Sequence, residues 1–168
     1  MQEIRRVMSP IDFSDNAEKI VSAAAYLAGT FSADLDLVFV AQDFDDYSGF
    51  FTPPTNLPNL RENLLSAAKE RMVSFLEEHK EGFITLGVTN ITGQVLSGDV
   101  AEEIVTYAGE AEAQLIVMGT HGYKGIERIM FGSVAEKVVK TACCPVLTIN
   151  PYRQECENLL KKCLEPDS

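Results

Sequence analysis

The chain has 168 residues, of which 46% are hydrophobic and 23% charged, a length and balance that suit one domain with a sizeable core. A net charge of −11 excludes broad nucleic-acid binding, which needs a basic face, but leaves nucleotide binding open, since that needs only a local positive potential. No apolar run approaches the length of a membrane span, and no signal peptide is visible at the start, so a soluble cytoplasmic protein is the expectation.

Strand and helix patterns alternate along the chain. Glu3 to Met8 reads as a short apolar strand. Ala17, Ile20, Val21, Ala24, Leu27 and Ala28 then form a helical stripe, with Ser14 or Asp15 as its cap. Leu35 to Ala41 is the second strand, and Asp43 to Pro58, rich in acidic residues, aromatics and prolines, reads as a long exposed loop. Leu60, Leu64, Ala68, Met72, Phe75 and Leu76 mark the second helix, and His79 beside Glu78 and Lys80 reads as surface at its end. The β-branched residues between Gly82 and Val95 supply a third strand, near Val88 to Leu96. Asp99 caps a third helix that turns Ala101, Ile104, Val105 and Ala108 inward. Leu115 to Gly119 is the fourth strand, Ser133 to Thr141 the fourth helix and Pro145 to Asn150 the fifth strand. Five strands with intervening helices imply an α/β fold, a doubly wound parallel sheet with helices on both faces. In such sheets ligands sit at the carboxyl ends of strands, where the strand order reverses.

The most informative stretch runs from Gly119-Thr120-His121-Gly122 to Gly132-Ser133-Val134. It follows a buried strand pattern, carries glycines and ends at a helix start. Glycine admits close backbone approach and positive φ, and a helix start offers unpaired N–H groups and the positive end of a dipole. A phosphate chain is the natural ligand of such a cradle. The motif is neither a Walker loop nor the dinucleotide fingerprint, and an ordinary strand-to-helix loop would use glycines in the same way. Lys124, Arg128, Lys137 and Lys140 surround it, and Lys137 and Lys140 read as a solvated helix face.

The spacing of Gly119, two residues, Gly122, nine residues and Gly132-Ser133 resembles the nucleotide-binding signature of the universal stress proteins. Val7-Met-Ser-Pro10-Ile-Asp12-Phe-Ser14 is similar to that family's first strand and turn, Leu37 to Val40 to its second strand, Gly98 to Ile104 to its third strand-to-helix turn and Cys144 to Ile149 to its closing strand. The resemblance covers roughly Glu3 to Asn150 and implies strand order 3-2-1-4-5, with residues 1–150 as the domain. It also implies ATP as ligand: Asp12 near the adenosine, Val40 lining the adenine pocket, Pro10 and Met118 as wall and backbone contacts, and Gly119, Thr120, His121, Gly122, Gly132, Ser133 and Val134 around the ribose and phosphates. Read without the family, Asp12 would be a turn former bonding backbone N–H groups with its side chain. Mg²⁺ or Mn²⁺ could be carried on the phosphates.

No catalytic constellation stands out, so binding with slow or absent hydrolysis is expected. Two alternatives are a protein-interaction module of the same family without nucleotide, and an α-hydrolase-type enzyme, whose Ser-Gly-Gly-x-Asp-Ser loop is here Ser9-Pro-Ile-Asp-Phe-Ser14. The resemblance further implies a homodimer joined through Val146 to Asn150. Residues 151–168 read as an added amphipathic helix with Cys156, Leu159, Leu160, Cys163 and Leu164 on one face. Cys143, Cys144, Cys156 and Cys163 are expected as reduced thiols, Cys143 and Cys144 as small packing residues; a metal site built from the four is the alternative.

Overall fold

The computed structural model describes residues 3–42, 60–120 and 132–151. The loop expected at Asp43 to Pro58 and the helix expected after Tyr152 lie outside the described residues, as do His121 and Gly122. The elements are β1 (Arg6–Pro10), α1 (Ala17–Thr30), β2 (Asp34–Gln42), α2 (Leu60–Leu86), β3 (Ile91–Gly98), α3 (Val100–Glu110), β4 (Leu115–Gly119), α4 (Ser133–Thr141) and β5 (Val146–Ile149). The five strands form one parallel sheet in the order β3-β2-β1-β4-β5, as expected. Parallel strands need crossovers, and here each crossover is a helix.

The central strands are apolar on both faces because helices cover both. Val7, Leu35, Leu37 and Val117 pack with Ala17, Val21, Ala24 and Ala28 of α1 and with Met72, Phe75 and Phe83 of α2. Met8, Val38, Val40, Ile116 and Met118 pack on the other face with Ala101, Ile104 and Ala108 of α3 and Ala135 and Val138 of α4. Among the described residues one carboxylate, Asp36, is buried. Asp36 in β2 accepts from Thr92 Oγ1 at 2.7 Å, Tyr107 Oη at 3.3 Å and Arg6 Nη1 at 3.3 Å. A buried charge persists only when paired and hydrogen-bonded, so β1, β2, β3 and α3 are tied at one point. Burial, and then the Asp36 carboxylate, push the Tyr107 hydroxyl up, which keeps it a donor.

The element boundaries differ from expectation by one residue at each end of β2, which runs Asp34–Gln42, and of β5, which runs Val146–Ile149, and more widely elsewhere. β1 begins at Arg6 and reaches Pro10 rather than spanning Glu3 to Met8. The cap of α1 is Asn16, which makes no side-chain cap bond, because Asp12 has already drawn Ser14 into a turn. The helix α2 continues through Gly82 to Leu86, so β3 starts only at Ile91. A ring stripe at four-residue spacing carries the extension: His79 stacks on Phe75 at 4.3 Å and on Phe83 at 6.1 Å. His79 is therefore half-buried within the helix, its Nδ1 2.9 Å from the Phe75 carbonyl oxygen, rather than a surface residue at its end.

Two glycines mark where α2 meets its neighbours. A Cβ on Gly93 of β3 would lie 2.5 Å from Met72 Cγ and 2.9 Å from Leu76 Cδ1. A Cβ on Gly29 of α1 would run into the backbone carbonyl of Leu86. That group cannot rotate away, so relief requires α1 and α2 to separate. Gly29→Ala is expected to destabilise the fold by about 2 kcal/mol, seen as a lower urea midpoint. An unchanged midpoint would show that the two helices are not held at this distance.

The helix α3 is capped as expected. Asp99 Oδ1 accepts from the Glu102 N–H at 2.9 Å, and Lys137 of α4 donates to Asp99 Oδ1 at 3.2 Å and Glu102 Oε1 at 2.9 Å. The Glu102 N–H first, and Lys137 after it, hold the Asp99 carboxyl below its ordinary 3.8. Because the folded-state pKa is the lower one, this stabilisation is full above the ordinary value and is lost as pH falls through the folded value. Asp99→Ala should cost about 1 kcal/mol at neutral pH, typical of a lost cap. The gap to wild type should narrow in urea titrations as pH falls below the ordinary 3.8, whereas a gap independent of pH would assign the cost to something other than the carboxylate.

Candidate functional site

The site forms where two neighbouring strands stop pairing with each other. β1 and β4 are paired only at Val7–Leu115 and Met8–Ile116. Beyond that, β1 stays paired to β2 as far as Pro10–Val38, and β4 to β5 as far as Gly119–Ile149. The carboxyl ends of β1 and β4 are thus held on their outer sides alone. This is also where the winding reverses, since β2 and β3 lie on one side of β1 and β4 and β5 on the other. A crevice at this point is the usual ligand position in doubly wound sheets.

On the β1 side the crevice wall is a tight turn. Asp12 Oδ1 accepts from the Ser14 N–H at 3.0 Å and from Ser14 Oγ at 2.6 Å. The turn-forming role of Asp12 is therefore real. It occupies one carboxylate oxygen, and among the described residues no hydrogen bond engages the other. Between them Phe13 has φ of 56°, a conformation that costs a bulky residue of order 1–3 kcal/mol. Ring packing holds it there: the Phe13 ring lies 4.9 Å from Phe39 and 6.0 Å from Phe75, with the Arg71 guanidinium 6.0 Å away over its face. This aromatic brace was not anticipated from the sequence. The signal for it was Phe39, which alternates with buried Val38 and Val40, yet nothing in a linear pattern says which ring of α2 it will meet.

On the β4 side, the Thr120 N–H donates to the Ile149 carbonyl at 2.8 Å and the Gly132 N–H to the Thr120 carbonyl at 2.8 Å. These two bonds set the start of α4 directly beside the end of β4. Gly132 is the cap residue of α4 and offers no side-chain acceptor. The contrast with α3, whose own Asp99 occupies its first turn, is direct. Ser133, the first residue of α4, is solvent-exposed, and Val134 is half-buried against the core. Gly132 has φ of −60° and ψ of 145°, so the positive φ invoked for this loop's glycines is not what this one supplies. Its missing side chain leaves space at the helix start.

The sequence-derived residues therefore collect as follows. Pro10 ends β1 and Asp12 follows in the turn, Met118 and Gly119 end β4, and Thr120, Gly132, Ser133 and Val134 gather at the α4 start. Val40 and Met118 lie buried in the core layer that α3 and α4 cover. Of the four surrounding cations, Lys124 and Arg128 are outside the described residues. Lys137 is committed to Asp99 and Glu102, and Lys140 to Glu136 at 2.6 Å, so both belong to the solvated helix face as expected. Among the described residues no three His, Cys, Asp or Glu side chains are grouped to hold a metal ion, and no helix is long and apolar enough to cross a membrane.

Comparison with known proteins agrees with this architecture. The family model of the universal stress protein family matches residues 3–150. The universal stress protein MJ0531 of Methanocaldococcus jannaschii is 35% identical over 151 residues, covering 90% of this chain and 85% of that protein. The solved structure of the universal stress protein UspA from Lactobacillus plantarum superposes with a TM-score of 0.74 at 24% identity, over 89% of this chain and all of that one. A universal stress protein solved in complex with cAMP superposes with a TM-score of 0.63 at 20% identity, covering 89% of this chain and 99% of that one. With the family pattern matched from the first strand to the last, and the five strands in the 3-2-1-4-5 order, the chain belongs to the universal stress protein family.

Proposed function

We propose that the β1–β4 crevice binds an adenine nucleotide, with ATP as the ligand and hydrolysis slow at most. The observation that carries this reading is the open amino end of α4, held beside β4 by the Gly132–Thr120 bond and capped by a residue with no side chain. A helix start whose cap residue has no side chain to bond its first-turn N–H groups, at the positive end of the dipole, suits a phosphate chain. The Asp12 oxygen that does not bond Ser14 suits a sugar hydroxyl or the adenine amino group, and Val40 and Met118 suit a purine face. Gly119, Thr120, His121, Gly122, Ser133 and Val134 complete the ribose and phosphate contacts in this reading, with Mg²⁺ or Mn²⁺ carried on the phosphates. The family relative solved with cAMP supports the adenine assignment.

The test is calorimetric titration of ATP and of adenosine into wild type and Ser133→Ala. Ser133 is exposed at the first helical position, so its loss should spare the fold. The variant should weaken ATP about tenfold, the equivalent of one charge-assisted hydrogen bond of roughly 1.5 kcal/mol, and leave adenosine unchanged. Equal losses for both ligands would remove Ser133 from the phosphate site. No heat with either ligand on wild type would favour the nucleotide-free interaction module.

The same reading extends to assembly as a homodimer through β5. Ile116 N–H donates to the Pro145 carbonyl and Thr120 N–H to the Ile149 carbonyl. By the alternation of a strand, the backbone groups of Val146 and Thr148 then face away from β4, toward the open edge. Leu147 beside them is 41% exposed, and Val139 of α4 is 46% exposed. A bare apolar edge invites aggregation unless a second strand covers it, and a two-fold partner is the simplest cover. Thr148→Pro removes an outward donor and none directed at β4, so the fold should survive while light scattering shifts from dimer to monomer. A wild type that scatters as a monomer at micromolar concentration would end this model.

A further inference from the structure

At the opposite end of the strands from the β1–β4 crevice, a cavity of about 330 Å³ opens between the end of α3 and the starts of β4 and β5. Its lining includes Ala108, Ala113, Glu112, Gln114 and both Cys143 and Cys144. Neighbouring residues of an extended strand point to opposite faces. Here the chain bends at 143–144, between α4 and β5, and both residues border one space. Both are free cysteines, Cys143 exposed and Cys144 half-buried. We propose that Cys143 and Cys144 form a two-thiol chelating site for a soft, thiophilic centre of the trivalent arsenical class.

The donor set selects the ligand. Hard cations take six or more oxygens and structural zinc takes four ligands, but among the described residues no third His, Cys, Asp or Glu completes a group with this pair. Gln114 is already occupied: its Oε1 accepts from the Arg5 and Arg6 N–H groups at 3.0 and 2.8 Å, and its amide donates to the Glu112 carbonyl. The cavity therefore brings two cysteines together on a wall of mixed polar and apolar groups with one carboxylate, Glu112. Soft sulfur donors favour soft centres, and an organic trivalent arsenical needs only two sulfurs because its carbon substituent fills the third position. Burial, and then the neighbouring Cys143, push the Cys144 thiol up. It is thus a protonated thiol at neutral pH, unsuited to act alone as the attacking thiolate of a disulfide exchange.

The chemistry balances without an oxidant. An arsine oxide condenses with two thiols: two As–S bonds form, two S–H bonds break, and the arsenic-bound oxygen leaves with both protons as water. Arsenic stays trivalent and both sulfurs stay reduced.

Phenylarsine oxide added to the reduced full-length protein, followed by intact-mass spectrometry, tests this. The tail cysteines Cys156 and Cys163 are replaced together in one variant, Cys156→Ser/Cys163→Ser, and the pair in another, Cys143→Ser/Cys144→Ser. The first variant should keep one adduct, equal to the reagent less one water, that survives excess monothiol and is removed by ethanedithiol. The second should lose that monothiol-resistant adduct, as should either single serine variant, with circular dichroism unchanged because serine is close in size and Cys143 is exposed. Persistence of the adduct in Cys143→Ser/Cys144→Ser, or its loss in Cys156→Ser/Cys163→Ser, would overturn the proposal. Neither readout depends on nucleotide binding.

Discussion

Two parallel strands that pair for only two residues organise this molecule. β1 and β4 share Val7–Leu115 and Met8–Ile116 and then hold only to their outer neighbours. In a fully paired sheet the carboxyl edge would be a continuous row of strand ends closed by the loops above it. Here each strand end is fixed on one side and open on the other, and the helices that follow the two strands, α1 and α4, pack on opposite faces of the sheet. The reversal of winding and the gap are one feature, because a chain that continued in one direction would place another strand against β1.

Rigidity on both sides of the gap comes from unlike sources. The β1 wall is strained and then braced: Phe13 sits at positive φ while Phe39, Phe75 and Arg71 hold its ring, and Asp12 and Ser14 close the turn. Strain of this kind persists only where the surroundings over-determine it. The β4 wall is set by backbone hydrogen bonds alone, Thr120 to Ile149 and Gly132 to Thr120. One wall is thus fixed by a carboxylate pinned in its own turn, the other by a helix start held with main-chain bonds.

The two helices that flank the second layer are treated differently at their amino ends. α3 closes on itself through Asp99, and Lys137 carries that closure across to α4. α4 begins at a glycine and makes no such closure. The first turn is thus closed by the cap side chain in one helix and not by the cap residue in the other. Deeper in the sheet, the buried Asp36 draws Arg6, Thr92 and Tyr107 onto one carboxylate, fixing the register of β1, β2 and β3 at the end away from the crevice.

Much of this was legible in the sequence. Apolar runs such as Leu115 to Met118 and the stripe of Ala17, Ile20, Val21 and Ala24 announce their elements because burial imposes a period of its own on strands and helices. Asp99 announces its helix because capping is local, and Gly132-Ser133 announces a helix start for the same reason. Boundaries failed where the deciding contacts were distant. β3 starts at Ile91 because the Phe75, His79 and Phe83 rings carry α2 past Gly82, and Gly29 is required because Leu86, far along the chain, lies against it. Residue type, period and local chemistry were set by the sequence itself, including the glycine at which α4 begins. Only the tertiary structure decided that β1 and β4 part after Met8, that Phe13 is braced by Phe39 and Phe75, and that Cys143 and Cys144 share a cavity with α3. Those are pairings between residues far apart in the chain, and a pairing energy that depends on two distant positions leaves no period in either one.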